Sequence, residues 1–239
     1  MINRRQLLAT VPPLLGGCAA LPPVPPEGLA AGEQRPWRLG GERMWVWLPP
    51  DYTRRAERWP LVVFLHGSGE RGTELDKVKV HGPPMWVARG TAYPCLLVSP
   101  QLEEGARWEP ERLHRLLGAL QSHLHADRRR CVATGLSLGG HGVWNWASAH
   151  PGDLAAIAPV CGYGDPAAVA AMRGVPVRAY HGAVDPVVPL ARQQACVDAL
   201  LAAGGRATLT IYPGVGHDAW TPAYQDPDLM PWLLAQHRT

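Results

Sequence analysis

The chain has 239 residues, of which 46% are hydrophobic and 18% are charged, and its formal net charge is +3. This size and composition suit one globular domain with a sizeable core. The basic residues are mostly arginines scattered along the sequence, so the composition gives no electrostatic case for a nucleic-acid partner. The local run Arg128-Arg129-Arg130 is interpreted as solvating the start of a strand.

The first eighteen residues have the layout of an export signal. Arg4 and Arg5 precede a short apolar run, residues 7–15, and the segment ends in Leu-Gly-Gly-Cys at Cys18. The apolar run is too short to span a bilayer as a helix. Paired arginines resemble a twin-arginine signal, and the Leu-Gly-Gly-Cys ending resembles the lipobox of bacterial lipoproteins, whose cysteine carries the lipid. We expect residues 1–18 to be a signal and the bacterial protein to be exported, either anchored to a membrane through Cys18 or periplasmic. The alternative is an uncleaved N-terminus on a cytosolic enzyme.

Residues 19–33 are rich in proline and small side chains, which favour an extended linker between an anchor and a domain. We therefore expect the folded domain to span residues 34–239. The spacing of the four cysteines after Cys18 does not resemble a metal site, and we expect no disulfide among them. These four are Cys95, Cys131, Cys161 and Cys196.

Apolar, strand-sized runs alternate with helical patterns along most of the chain. Strands are expected at residues 44–48, 61–66, 95–99, 130–134, 155–160, 177–181 and 208–212, and helices at 111–125, 138–150, 166–172, 190–203 and 227–236. The alternation predicts an α/β fold with a mainly parallel central sheet and helices on both faces. Several of the expected strands are followed by loops rich in Gly, Pro and His, at the sheet edge where ligands and catalytic groups converge.

One serine lies between two glycines at a predicted strand-to-helix junction, in the stretch Gly135-Leu136-Ser137-Leu138-Gly139. The glycines permit a tight turn that exposes the serine hydroxyl. The helix that starts at Leu138 directs unpaired N–H groups and its positive dipole end to the same point. This pattern alone also fits a structural glycine-rich turn, so residues elsewhere in the chain are needed to distinguish a catalytic serine from a structural one.

A serine hydroxyl needs a base to become a nucleophile, and the base needs an acid to fix its tautomer. Asp185 follows the predicted strand at 177–181, and His217 follows the last predicted strand. The order Ser, Asp, His at successive strand ends is that of the α/β-hydrolase fold. Ser137, Asp185 and His217 are therefore the expected catalytic residues.

Asp165 is the main rival for the acid, and it also suits a helix N-cap; Asp218, next to the base, would need an awkward bend to reach the imidazole. Among the other histidines, His66 and His181 each end a strand before a glycine and are expected to brace loops through backbone hydrogen bonds. The remaining ones fall in polar or helical stretches with no matching acid: His81, His114, His123, His125, His141, His150 and His237.

Five stretches carry a more specific resemblance: PLVVFLHGSGERG, SPQ followed by Trp108, ATGLSLGGHGVWNWASAHP, YHGAVDPVVP and YPGVGHDAWTPAY. They resemble the secreted esterases of the α/β-hydrolase superfamily that are often labelled predicted peptidases, close to the phospholipase/carboxylesterase and polyhydroxybutyrate-depolymerase-like groups. The resemblance runs from about residue 43 to the C-terminus. It implies the same triad and an oxyanion hole formed by the N–H groups of Ser68 and Leu138. At His141 related sequences often carry an aromatic residue.

Three tryptophans in loops near the expected catalytic edge are candidates for lining an acyl or sugar pocket, with simple loop packing as the alternative. They are Trp86, Trp108 and Trp220.

The sequence thus predicts a serine hydrolase that cleaves carboxylic esters, either small acyl esters or acylated carbohydrate, through an acyl-enzyme and without a metal or organic cofactor. A serine peptidase is one alternative, although the chain has no room for the propeller domain that gates oligopeptidases. A non-catalytic binding module is the other, and such modules usually lose the nucleophile or the base. The acyl group, the alcohol and the oligomeric state stay open.

Overall fold

The computed structural model describes residues 24–54 and 56–238. Within these residues eight strands form one sheet: Gln34–Leu39 (β1), Glu42–Trp47 (β2), Trp59–Leu65 (β3), Leu96–Pro100 (β4), Ala126–Leu136 (β5), Ala156–Val160 (β6), Val177–Gly182 (β7) and Ala207–Tyr212 (β8). Their order across the sheet is β1-β2-β4-β3-β5-β6-β7-β8. β1 and β2 are antiparallel, β2 is antiparallel to β4, and β3 to β8 run parallel.

The described part of the chain has six α-helices, of which the last two follow β8: Gly82–Ala88 (α1), Pro110–His123 (α2), Leu138–Ala149 (α3), Leu190–Ala202 (α4), Trp220–Gln225 (α5) and Leu229–Ala235 (α6). They pack on both faces of the sheet. Alternate residues of β3 separate the two cores: Val63 and Leu65 pack in the cluster with α2, α3 and α4, whereas Val62 and Phe64 pack in the cluster with α5 and α6. Such double coverage is typical of a parallel sheet and confirms the predicted fold class.

The seven predicted strands are all present, with ends that differ from the prediction by a few residues. β1 is not predicted, because QRPWRL contains a proline and two arginines and its burial is only partial, as expected of an edge strand. α1 is also not predicted, because its two prolines favour a loop in sequence; in the structure they lie in the first helical turn, where a missing N–H costs nothing.

The helix expected at residues 166–172 is wrong in type and extent. Only Val169–Met172 is helical, as a short 3-10 helix. The preceding residues form a turn in which the Asp165 carboxylate accepts a hydrogen bond from the Ala167 N–H at 2.9 Å. This local bond competes with a regular first helical turn.

The N-terminal boundary of the folded domain lies earlier than the predicted residue 34. Leu29 is buried in the core, Ala31 bridges to Leu48, and the Gly32 N–H donates to Leu48 O at 2.9 Å. The last residues of the predicted linker therefore pack against the end of β2. The predicted export signal and Cys18 lie outside the described residues.

Among the described residues, no helix has the length and apolar character needed to cross a bilayer. The four described cysteines are buried and have free thiols. Burial raises the pKa of each of these thiols, so they behave as small apolar side chains.

Candidate active site

A strained turn joins β5 to α3 and presents Ser137. Its backbone has φ +51° and ψ −114°, which a residue with a side chain rarely adopts. A Cβ at Gly135 would lie 2.6 Å from Gly139 O, and a Cβ at Gly139 would collide with the carbonyl of Leu65. Glycine is thus required on both sides of the serine by the close approach of the β3 backbone.

Ser137, Asp185 and His217 follow the C-terminal ends of β5, β7 and β8, and the structure brings them together. His217 Nε2 lies 2.9 Å from Ser137 Oγ, and His217 Nδ1 lies 2.8 Å from Asp185 Oδ2. Since a carboxylate only accepts hydrogen bonds, Nδ1 carries the proton and Nε2 is free to accept the serine proton. The arrangement therefore has the geometry of a nucleophile, a base and an orienting acid.

The Asp185 carboxylate is fully buried and well satisfied. Its second oxygen accepts the N–H groups of Val187 at 2.8 Å and Val188 at 2.9 Å. Burial alone would raise the pKa of this carboxyl group, but the hydrogen bonds from His217, Val188 and Val187 outweigh it and hold the pKa below its usual value. Asp185 therefore remains an anion that keeps the imidazole in one tautomer.

The two rival acids lie in other hydrogen bonds. Asp165 accepts the Ala167 N–H, as described above. Asp218 accepts the Thr221 N–H at 3.2 Å and the Thr221 hydroxyl at 2.8 Å, at the start of α5. Neither carboxylate contacts the imidazole of His217, so the structure favours Asp185 as the acid.

His181 is fully buried and also contacts Asp185. Its Nε2 lies 2.8 Å from Val188 O and 3.3 Å from Asp185 Oδ2. The opposite ring nitrogen contacts Gln193 Oε1, and the Gln193 amide donates to Pro159 O at 3.2 Å. The predicted bracing of the loop by His181 is confirmed. Its contact with Asp185 is additional, and sequence position alone gave no sign of it.

The loop after β3 is held by a second buried histidine, His66. Its Nε2 accepts the Leu102 N–H at 3.0 Å, and its Nδ1 donates to Gly67 O at 2.6 Å. Burial lowers the pKa of His66 to about 4, because the charged imidazolium would lose its hydration. The neutral ring therefore fixes the path of the backbone that leads to Ser68, as predicted.

Trp108 packs against His66 in the protein interior and does not line a substrate pocket, which corrects its predicted role. Its side chain is buried, its Nε1 donates to His66 O at 3.0 Å, and its ring meets the His66 ring edge-on at 5.0 Å. A Cβ at Gly142 on α3 would press against Trp108. Position in a loop could not tell that this side chain points inward.

The two predicted oxyanion donors begin helices beside Ser137. Ser68 starts the 3-10 helix Ser68–Glu70, and Leu138 starts α3. The first N–H groups of a helix lack intrahelical acceptors and are free to bind an anion. Gly139 packs directly on the Leu65 carbonyl, so the turn with Leu138 lies against the end of β3, three residues before Ser68.

Trp86 and Trp220 line one cavity of about 260 Å³, together with His81, Met85 and Tyr224. The Trp220 ring meets the His217 ring edge-on at 5.3 Å and lies 5.4 Å from the His81 ring. Trp220 thus lies beside His217, and Trp86 lines the same cavity as Trp220.

Two clusters of metal-ligand side chains occur among the described residues. One is Cys161 with Asp185 and His217, where the triad already uses the imidazole and the carboxylate. The other is His114, His150 and Asp153 on the surface. There the two imidazoles are stacked at 4.4 Å and nearly parallel, so their lone pairs do not converge on one point. Neither arrangement is preformed for a metal ion.

A family comparison decides the class of this protein. The model of the Dienelactone hydrolase family matches residues 105–226, just over half of the chain, and includes Ser137, Asp185 and His217. The chain belongs to the dienelactone hydrolase family. It is therefore a hydrolase of the α/β-hydrolase superfamily, as the resemblance implied. The comparison with curated proteins gives no match.

Solved structures show the same fold. A thermostable esterase is 26% identical with a TM-score of 0.75; the alignment covers 86% of this chain and 63% of that one. The feruloyl esterase module from Clostridium thermocellum, complexed with sinapinate, is 16% identical with a TM-score of 0.64, covering 87% and 89% of the two chains. Acylaminoacyl peptidase from Pyrococcus horikoshii is 17% identical with a TM-score of 0.64; the alignment covers 86% of this chain and 42% of that one. The last two likenesses concern the fold alone.

Proposed function

We propose that this family member is a serine esterase that hydrolyses carboxylic esters, either small acyl esters or acylated carbohydrate, through a covalent acyl-enzyme. The observation that carries the proposal is the continuous hydrogen-bonded path from Ser137 Oγ through His217 to the buried Asp185 carboxylate. A serine with a base and an oriented acid within hydrogen-bond reach is equipped for acyl transfer.

In the proposed reaction His217 Nε2 takes the hydroxyl proton as Ser137 Oγ bonds to the ester carbonyl carbon. The oxygen of that carbonyl becomes an anion, which the N–H groups of Ser68 and Leu138 stabilise by about 3 kcal/mol each. The tetrahedral intermediate expels the alcohol, which receives its proton from His217. Water, deprotonated by His217, then attacks the acyl-serine and releases the acid and free Ser137. This chemistry uses only side chains and backbone groups of the chain.

Support for an ester substrate comes from the family and from the esterase structures that share the fold. The cavity beside His217 offers flat apolar faces from Trp86 and Trp220, which suit an acyl chain or a sugar ring. We also propose that the mature protein is exported and carries a lipid at Cys18, on the sequence pattern alone.

Covalent labelling tests the nucleophile directly. A fluorophosphonate should transfer its phosphonyl group to Ser137 with loss of fluoride, and peptide mass spectrometry should locate the adduct there. Ser137→Ala should remain unlabelled and should hydrolyse p-nitrophenyl acetate about 10⁵–10⁶-fold more slowly, with a near-normal melting temperature. Labelling of another residue, or near-normal turnover by Ser137→Ala, would overturn the proposal.

A substrate panel then separates the classes. Hydrolysis of p-nitrophenyl esters, acetylated sugars and feruloyl sugars should exceed hydrolysis of a peptide anilide. The opposite ranking would make the protein a peptidase that uses the same triad.

Comparing membrane and soluble fractions of the wild type and Cys18→Ser tests lipidation, and equal solubility of the two would exclude the anchor.

A further inference from the structure

The sheet edge opposite the triad carries a cluster of basic side chains that the proposed hydrolysis does not use. Arg173, Arg206, His237 and Arg238 line one cavity of about 520 Å³. Arg173 lies in the loop before β7, and Arg206 immediately precedes β8. This basic cavity therefore lies at the N-terminal ends of the parallel strands, whereas the triad lies at their C-terminal ends.

The charges of the basic cavity are not neutralised by the residues around them. Within the described part of the chain no acidic side chain lines the cavity. Arg173 and Arg206 are exposed, and the structure gives their guanidinium groups no ion pair or hydrogen bond in that part. The acids nearest in sequence to Arg173 and Arg206 are Asp165 and Asp198, which accept hydrogen bonds from the Ala167 N–H and the Gln194 side chain. Asp153, between the lining residues Gly152 and Leu154, accepts hydrogen bonds from His114 and Trp146.

Arg238 has a different part in the basic cavity, because the fold holds it in place. One of its terminal nitrogens contacts Gly152 O, another donates to Arg128 O at 2.8 Å, and its backbone N–H donates to Arg129 O at 2.8 Å. Its charge is therefore fixed in the same cavity as the exposed guanidinium groups of Arg173 and Arg206. The unpaired guanidinium groups of Arg173 and Arg206 suit phosphate oxygens, since each offers a planar pair of N–H donors.

The N-terminal end of the chain reaches the same edge of the sheet. β1 begins at Gln34, which pairs with Trp47 at the end of β2, and Trp47 pairs with Leu97 near the start of β4. The segment that precedes Gln34 therefore approaches from the N-terminal ends of the parallel strands. The ten residues between Cys18 and Leu29 extend to at most about 35 Å. A lipid at Cys18 would hold this edge close to a bilayer.

We propose that the basic cavity binds the phosphate of anionic phospholipid headgroups and docks this edge of the domain on the membrane surface. The triad then faces away from the bilayer, toward soluble substrate. The occupant is a lipid surface because the unpaired charges and the N-terminal approach share one edge. The proposal goes beyond ester hydrolysis and does not depend on it.

Vesicle binding tests the proposal with the full chain carrying Cys18→Ser, so that no lipid anchor contributes. Sedimentation with phosphatidylcholine vesicles is compared with sedimentation with mixed phosphatidylcholine and phosphatidylglycerol vesicles. We expect preference for the anionic vesicles, which salt weakens. The double variant Arg173→Gln with Arg206→Gln should bind them about 30-fold more weakly, as two charges at a membrane surface imply.

The matched control is Arg38→Gln with Arg115→Gln, which removes two exposed arginines on β1 and α2 outside the cavity. Its binding to the anionic vesicles should weaken by less than about threefold, since salt screens those two charges from the vesicle surface. Both double variants should hydrolyse a soluble ester at the wild-type rate. Equal binding of the wild type to both vesicle types, or equal losses in the two variants, would overturn the proposal. So would stabilisation by inorganic phosphate without vesicle preference, which would indicate a site for small anions.

Discussion

The two edges of the sheet differ in how their polar side chains are buried and paired. At the C-terminal ends of the strands the polar groups are buried, paired and held by backbone contacts, as with Asp185 and its three hydrogen bonds. At the N-terminal ends, Arg173 and Arg206 are exposed and unpaired among the described residues. The difference shows where substitution is costly: replacing a group fixed by several partners disturbs the geometry that it maintains, whereas replacing an unpaired surface charge alters only what the protein binds.

The largest effect is expected from the acid of the triad. Asp185→Asn should keep the fold but allow the imidazole to take the wrong tautomer, lowering kcat by about 10⁴-fold with a melting temperature near that of the wild type. Ester hydrolysis and thermal unfolding measure the two quantities.

Asp165→Asn is the matched control for this change, because Asp165 also follows a parallel strand but bonds only within its own turn. It should retain activity and lose about 1 kcal/mol of stability at most. If Asp165→Asn were the inactive variant and Asp185→Asn stayed active, the acid would be assigned wrongly.

The second effect concerns the backbone at the two edges. Gly139→Ala should lower the free energy of unfolding by about 4 kcal/mol or more, because the new methyl group would overlap the Leu65 carbonyl. Gly174 lines the basic cavity, and a methyl group added there would meet no atom within 4 Å, so Gly174→Ala should change stability by less than about 0.5 kcal/mol. Urea denaturation measures both, and equal losses would refute the contrast.

The third effect is a pH dependence that arises at the catalytic edge. The folded pKa of His66, about 4, lies below its ordinary value of 6.5, so the unfolded chain binds more protons between these values. Stability from this group is complete above pH 6.5 and is lost as the pH falls toward 4. The loss should reach about 2–3 kcal/mol at pH 4.5.

Urea denaturation at about pH 7.5 and about pH 4.5 tests this assignment. In His66→Gln, whose amide oxygen can still accept the Leu102 N–H, the loss between the two pH values should shrink by that amount. An identical slope in His66→Gln and the wild type would show that another group is responsible.

The sequence predicts those features whose signals are local. The turn around Ser137 is visible because strand, glycines and helix are contiguous, and the order of Asp185 and His217 follows from the strands that precede them. β1 is missed because its sequence is polar and contains a proline, although its partner β2 follows after only two residues. The inward orientation of Trp108 and the contact of His181 with Asp185 depend on packing between distant segments, which residue spacing does not report.

The position of β8 at the end of the sheet affects when Ser137 and His217 can come together during biosynthesis. The turn with Ser137 is complete once β5 lies beside β3, but His217 follows the last strand, which pairs only with β7. A nascent chain therefore holds Ser137 long before His217 arrives. The last strand to join the sheet thus determines the moment at which the proposed esterase can first act.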